Sequence, residues 1–508
     1  GQRRHDWHNT MLHLVPKALN YGFHWGFLLM AKMLSFTKVN QETPLKRSTQ
    51  LRREDFNEIY ERFAMDKAEA QASRCSQCGV PFCQVHCPLN NNIPDWLKMT
   101  AEGRMREAYE VAASTNTMPE ICGRICPQDR LCEGNCVIEQ SGHGSVTIGA
   151  VEKHITDTAF AEGWVEPVVP YAERSESVGI IGAGPAAYGA AEMLRRDGFQ
   201  VTIYDRYDRA GGLLIYGIPG FKLEKEIVER RTKWLEDSGV GFRLNCNVGT
   251  DISFADIRKN HDAVLIATGV YKARGLELPN AHAEGVIPAM EFLTASNRIG
   301  LGDHVQAFED GTLNAKGKKV VVIGGGDTAM DCVRTAIRQE ATEVTCLYRR
   351  DRENMPGSQR EVANAEDEGV CFEWLASPKA FTTQNDRVAG VLANRMKLGQ
   401  PDATGRRKPE IVDGADFAVD ADIVIKALGF DPEDLPGMFG EPELPVSRWG
   451  TIRVDYETGM TPMEGVFAAG DIVRGASLVV WAVRDGRDAA AAIANHINAK
   501  SGKIAVAS

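Results

Sequence analysis

Eight of the twelve cysteines fall between Cys75 and Cys136, and four are scattered beyond. The first group reads Cys75-x2-Cys78-x4-Cys83-x3-Cys87-Pro88. It is close to the ferredoxin run C-x2-C-x2-C-x3-C-P, with two extra residues before the third cysteine. The second group reads Cys122-x3-Cys126-Pro127, then Cys132-x3-Cys136; in a helix that spacing would set two thiolates on one face. Thiolate sulfur is a soft ligand that matches iron. Structural zinc also uses C-x2-C, but usually as two paired short knuckles. The prolines after Cys87 and Cys126 favour iron–sulfur. Disulfides are the weakest reading, because a large acidic chain without a secretory signal reads as cytoplasmic.

Two glycine-rich turns carry a different chemistry. Gly182-Ala-Gly184-Pro185-Ala186-Ala187 follows the apolar run Ser177–Ile181, opens an Ala-rich helix, and is followed by Asp205 just past Val201–Tyr204. Such a turn lets backbone N–H groups approach a pyrophosphate at a helix N-terminus, and a carboxylate after the second strand accepts from a plain ribose. The second turn, Gly324-Gly-Gly326-Asp327-Thr328-Ala329, follows Lys319–Ile323. Arg349 and Arg350, trailed by Asp351, stand where the first unit has its acid. Arginines there suit the 2′-phosphate of NADP. FAD in the first site and NADPH in the second is the simplest pairing. Gly212-Leu213, Ala267-Thr268-Gly269 (ending the run Ala263–Ile266) and Gly470-Asp471 (ending Val466–Ala468) add three FAD-type segments. Their order is that of the disulfide-reductase-like flavoproteins, whose NADP domain is inserted in the FAD domain and whose late Gly-Asp contacts the ribityl chain.

The elements that must position these residues follow from periodicity and punctuation. A chain of 508 residues, 43% hydrophobic and 25% charged, is too long for one ordinary core. A formal charge of −11 argues against a nucleic-acid partner. The longest apolar run, Tyr21–Leu34, carries His24 and Lys32, falls short of a membrane span and lacks a signal-peptide cleavage site. Residues 50–72 have the spacing of one helix, with Leu51, Phe56, Ile59, Tyr60 and Phe63 on its buried face. Trp96–Ala113 also reads as helical. A connector, Glu166–Ser177, then gives way to two strand–turn–helix–strand units of α/β type. The expected division is an N-terminal extension of no assigned role (1–35), a mainly helical iron–sulfur domain (36–172), a first FAD segment (173–300), an NADPH domain (301–455) and a second FAD segment (456–500).

At this point the chain resembles the small (beta) subunits of bacterial NADPH-dependent glutamate synthase over about Phe36–Lys500. The resemblance rests on Cys75-Ser-Gln-Cys-Gly-Val-Pro-Phe-Cys83, Ile121-Cys-Gly-Arg-Ile-Cys-Pro127, Gly212-Leu-Leu-Ile-Tyr-Gly-Ile-Pro219, Gly324-Gly-Gly-Asp-Thr-Ala-Met-Asp331 and Ala476-Ser-Leu478-Val-Val-Trp-Ala482. The N-terminal half of dihydropyrimidine dehydrogenase is similarly organised, and adrenodoxin reductase shares the flavin and NADP domains. The resemblance implies FAD, NADPH and two [4Fe–4S] clusters, with Leu478 among the FAD contacts. Carried over from the dehydrogenase, one cluster would use Cys75, Cys78, Cys83 and Cys136. The other would use Cys87, Cys126, Cys132 and Glu152, where the relative has glutamine; Cys122 would be a spare thiol, or the alternative fourth ligand. The implied partner is the large (alpha) subunit in a hetero-oligomer, where electrons reach an FMN and glutamine-derived ammonia and 2-oxoglutarate yield glutamate. The alternative is a freestanding NADPH oxidoreductase acting on ferredoxin or sulfur compounds. A non-enzymatic adaptor conflicts with the intact glycines and Asp205.

Overall fold

The computed structural model describes residues 33–402, 405, 407–500 and 502. Most of the expected N-terminal extension, 1–32, lies outside them. No helix among the described residues is long and apolar enough to cross a membrane.

The cysteine-bearing region is helical and contains no strand among its described residues. Its core gathers Ile93, Trp96, Leu97, Met105, Ala108, Val151 and Ile155. Each large apolar side chain buried there contributes about 1.5–3 kcal/mol. The expected helix over 50–72 is two helices, Thr49–Glu54 and Met65–Ala72. Between them the backbone is extended: Ile59 N donates to Phe221 O at 3.3 Å, and Tyr60 bridges Lys46. Ile59 is therefore buried, and Phe56 half-buried, against another domain, not on a helix face. Trp96–Ala113 is likewise divided, into Ile93–Ala101 and Met105–Thr115, by a turn at Gly103.

Two parallel sheets follow. The first has the order Val466–Ala468, Ala263–Ile266, Ser177–Ile181, Gln200–Tyr204, Val240–Arg243. Ile181 pairs with Tyr204 on one side and Ile266 on the other. The second has the order Val286–Pro288, Ile423–Lys426, Lys319–Ile323, Glu343–Tyr348, Cys371–Trp374. Ser177–Ile181 and Lys319–Ile323, the middle strands, are apolar at every buried position, as strands covered on both faces tend to be. The chain leaves the first sheet through Lys272–Ala273 and returns through Phe430–Asp431, and these two segments pair antiparallel.

This topology moves two of the expected divisions. Val286–Pro288 already belongs to the second sheet, ahead of residue 301. Leu435, Phe439, Leu444 and Ile452 pack with Ile181 and Tyr204 of the first unit, ahead of residue 456. Strand pairing sets the first boundary and apolar packing the second, and both join residues far apart in the chain. A third sheet, antiparallel and unanticipated, joins Ala376–Gln384, Arg387–Pro401 and Arg407–Asp420.

Candidate electron-transfer site

In the first glycine turn, Gly182 has φ 100°, and a Cβ there would stand 2.5 Å from Ala267 O. Only glycine allows the two strand ends to meet so closely. Gly184 caps the helix Pro185–Arg196, whose first residues are Pro185, Ala186 and Ala187. Gly212 lies against Gly184, and Gly470 against Ala186. Asp205 is buried. Its Oδ2 accepts from Ala183 N at 2.7 Å and its Oδ1 from Tyr207 N at 2.8 Å. Burial raises its carboxyl from the ordinary range, against these two donors. A cavity opens here between Gly182, Asp205, Tyr207, Thr268, Tyr271 and Glu433. Thr268 Oγ1 is buried with no protein partner, as expected of a group reserved for a ligand. The Arg206 guanidinium walls the cavity through two bonds to the Glu433 carboxylate, at 2.9 and 2.8 Å. Arg206, Tyr207, Tyr271 and Glu433 escaped sequence reasoning, because Glu433 comes from 227 residues along the chain. Across the sheet, burial pushes the Asp471 carboxyl up to about 6, against a bond from Ser477 N–H.

The second turn repeats the construction. Gly324 has φ 151° and leaves no room for a Cβ beside Ala427 O. Gly326 caps the helix Asp327–Arg338. Asp327 Oδ1 accepts from Ser358 N at 3.0 Å. Arg349 is exposed and Arg350 half-buried at the end of Glu343–Tyr348. Neither makes an ion pair among the described residues, and Arg350 Nε is buried without a partner. Asp351 turns away to its own loop, accepting from Asn354 N and Nδ2 at 3.0 and 2.6 Å.

The cysteines converge in two neighbouring groups. All are free thiols. Cys75, Cys78, Cys83 and Cys136 surround one small cavity closed by Pro81, Phe82, Leu97 and Ile138. Gln77 N and Nε2 point at Cys75 Sγ, at 3.5 and 3.4 Å, and Ser76 Oγ lies 3.0 Å from Cys78 Sγ. Burial, with Cys75 and Cys136 adding to it, pushes the Cys83 thiol up to about 12. Buried Arg74 props this cavity by donating to the carbonyls of His143, Gly144 and Ser145. Cys87, Cys122, Cys126, Cys132 and Glu152 form the second group. A bond shared with Cys122, and then burial, raise the Cys126 thiol; Glu152 and Cys132 add to this. Glu152 is buried, and its Oε1 accepts from Asn91 Nδ2 at 2.8 Å and Asn116 Nδ2 at 3.0 Å. Burial pushes its carboxyl up to about 8. Cys122 Sγ, 3.8 Å from Asn116 Oδ1, stands in the same group. The helical face expected for Cys132 and Cys136 is absent: Cys132 lies in a run of turns, and Cys136 caps the start of the short helix Val137–Gln140. Among the described residues no three His, Cys, Asp or Glu side chains close on a single ion. Four thiols standing around a cavity suit a cluster with several irons, whose sulfur ligands are spread more widely.

The three units meet at a cavity of about 270 Å³. It is lined at once by Leu213 and Leu478 from the first unit, Asp327 and Thr328 from the second fingerprint, and Cys126 from the second cysteine group. Phe221, Ile218 and Val480 give its wall an apolar stretch, beside the charged side chains of Lys153, Lys222, Asp331 and Glu361. Lys222 Nζ lies 3.0 Å from Asp331 Oδ1. Burial pushes the Asp331 carboxyl up to about 6, with Lys222 opposing.

Residues 52–164 match the family described as dihydropyrimidine dehydrogenase domain II, 4Fe–4S cluster. Residues 176–486 match the pyridine nucleotide-disulphide oxidoreductases. The chain is 64% identical to the glutamate synthase [NADPH] small chain of Azospirillum brasilense, over 92% of its own length and 97% of that protein. It is 44% identical to that of Escherichia coli, over 91% and 98%. Among solved structures, Mycobacterium tuberculosis FprA in complex with NADPH superposes with a TM-score of 0.56 at 21% identity. That match covers 66% of this chain and 88% of FprA, and it establishes the fold of the two-sheet region.

Proposed function

Because the chain belongs to the family of NADPH-dependent glutamate synthase small chains, we propose that it takes electrons from NADPH by way of FAD and two [4Fe–4S] clusters and delivers them to a large subunit that makes glutamate. The observation that carries this reading is the central cavity. A single space touches the FAD-type residues Leu213 and Leu478, the nucleotide residues Asp327 and Thr328, and the thiol of Cys126. A flavin bound there would supply the exchange between a two-electron hydride donor and one-electron clusters.

The residues of this chain orient, insulate and anchor. Gly182, Gly184 and the N-terminus of Pro185–Arg196 offer backbone donors to a pyrophosphate. Asp205 keeps acceptor capacity for a ribose beyond its two backbone donors. Thr268 offers an unspent hydroxyl, while Ala267 and Gly470 stand beside the first glycine turn at the neighbouring strand ends, followed by Gly269 and Asp471. Arg349 and Arg350 present unpaired charge for a 2′-phosphate, a charge-assisted contact that favours NADPH over NADH. Phe221, Ile218 and Val480 offer apolar surface at the meeting point, against which a flavin ring and a nicotinamide could be held in register for hydride transfer. Cys75, Cys78, Cys83 and Cys136 would hold one cluster. Cys87, Cys126, Cys132 and Glu152 would hold the other, with Cys122 as the competing fourth ligand.

The test is an anaerobic titration with NADPH. The flavin absorbance should bleach, and low-temperature electron paramagnetic resonance should then report reduced clusters. Iron and acid-labile sulfide should amount to two cubanes per chain. Zinc without sulfide, or a flavin that bleaches with no electron reaching a cluster, contradicts the reading.

A further inference from the structure

Among the described residues, the nucleotide unit hydrogen-bonds to the loop of the second cysteine group through one short segment, Pro356–Arg360. On its inner side, Gly357 N donates to Gly325 O at 3.0 Å and Ser358 N to Asp327 Oδ1 at 3.0 Å, both in the second glycine turn. On its outer side its hydrogen bonds from Pro356, Ser358 and Arg360 reach the loop between Cys126 and Cys132 or its continuation. Ser358 Oγ donates to the Asp129 carboxylate at 3.2 and 3.3 Å, and Arg130 Nη1 donates to Pro356 O. Arg360 Nη1 donates to Gln128 Oε1 at 3.3 Å, and its Nη2 to Glu133 Oε2 at 2.8 Å.

The two partners of Arg360 are themselves built into the cysteine group. Glu133 is 3% exposed, follows Cys132 directly, and accepts from Gly149 N at 3.0 Å through its other oxygen. Gly149 opens the helix that carries Glu152. Gln128 is 6% exposed; its Nε2 donates to Cys122 O and Gly123 O at 3.4 and 3.3 Å. Its carbonyl collects the N–H groups of Leu131, Glu133 and Gly134. Within the described residues, Arg360 is the one cation in ion-pair contact with Glu133.

We propose that Arg360 is a positioning residue through which the nucleotide site and the second cluster sense each other: the same segment that frames the second fingerprint holds, by the Arg360–Glu133 pair, the carboxylate that directly follows Cys132. This rests on the reading of the second cysteine group as a cluster site. A reduced cluster carries one more negative charge. The uncompensated Glu133 carboxylate disfavours that charge, and Arg360 relieves it. Anything that moves Pro356–Arg360, nucleotide binding above all, therefore shifts the balance, and by linkage the cluster's charge shifts nucleotide affinity by the same factor.

The test uses the cluster-loaded chain and adenosine 2′,5′-bisphosphate, which carries the 2′-phosphate but no nicotinamide and so exchanges no electrons. Each cluster's midpoint potential is measured by titration followed by electron paramagnetic resonance, with and without saturating bisphosphate. In the unmodified chain one of the two potentials should shift with the bisphosphate. The other should stay, because Arg360 makes no contact with the first cysteine group. Arg360→Gln should lower that same potential and remove its response. Glu133→Gln should raise it, and Arg360→Lys should keep both the potential and the response. A bisphosphate response that is absent in the unmodified chain, or persists in Arg360→Gln, overturns the proposal. So does a Glu133→Gln shift in the same direction as Arg360→Gln. Iron and sulfide for only one cluster would instead refute the underlying reading, and that result is in hand before any titration.

Discussion

Glu368→Gln should loosen the junction of the three units by an amount the structure fixes. Glu368 is fully buried at the end of the helix Gln359–Asp367, in the nucleotide unit. Arg334 grips its carboxylate at 2.9 and 2.8 Å, and Arg338 at 2.7 and 3.1 Å. Arg52, from the cysteine-bearing region, reaches it at 3.4 Å. The two nucleotide-unit guanidiniums lie over the ring of Phe221, from the flavin unit, at 4.4 and 4.0 Å. Burial alone would raise the carboxyl, but the hydrogen bonds from Arg334 and Arg338 overcome it and hold it at about 2, against 4.5 unperturbed. That difference is worth about 3 kcal/mol at neutral pH, at ~1.4 kcal/mol for each tenfold change in proton affinity. A carboxylate held low contributes its stability above its unfolded value and loses it as the pH falls through its folded value. The contribution should therefore be complete at pH 7 and shrink to about 2 kcal/mol near pH 3.5. Glutamine leaves three arginines facing a neutral amide, so the loss at pH 7 should reach about 3–5 kcal/mol. Urea unfolding of both proteins at pH 7 and pH 3.5 measures this. An unchanged midpoint at pH 7, or a difference that does not narrow in acid, would refute the reasoning.

Two further outcomes concern the ligands. Glu152→Ala should perturb one cluster while Cys122→Ser leaves both assembled, as counted by iron, sulfide and electron paramagnetic resonance; the reverse pattern would make Cys122 the fourth ligand. Replacing Arg349 and Arg350 together by alanine should weaken NADPH binding by ~2–4 kcal/mol, because each charge-assisted bond is worth ~1.5–3 and neighbouring losses are not fully additive. NADH binding, measured by the same equilibrium titration, should change little. Equal losses for both nucleotides would remove these arginines from the 2′-phosphate site.

The α/β fold was legible where local chemistry determines it. The runs Ser177–Ile181, Ala263–Ile266, Lys319–Ile323 and Val466–Ala468 are strands at those residues, because strands buried on both faces are continuous apolar runs. The glycine turns sit at the strand ends for the same local reason. Residues 50–72 misled because Phe56 and Ile59 are spaced for a helix yet are set by an extended segment against Phe221, a partner invisible locally. The antiparallel sheet left a usable signal. Asn385 and Asp386, with φ 52° and 62°, join Ala376–Gln384 to Arg387–Pro401 as a two-residue turn of the type that asparagine and aspartate favour. Within the candidate site, Asp205, Thr268 and the cysteines could be named from spacing. The Arg206–Glu433 wall and the Pro356–Arg360 bridge could not, because both join segments more than 200 residues apart.

The central claim is that this chain supplies electrons and another chain makes the amino acid. Glutamate formation from glutamine, 2-oxoglutarate and NADPH tests it most directly, measured for this chain alone, for the large subunit alone and for the two together. The expected result is NADPH oxidation with artificial acceptors by the isolated chain, and glutamate only from the pair. Glutamate from this chain by itself, or none from the assembled pair, would contradict the account.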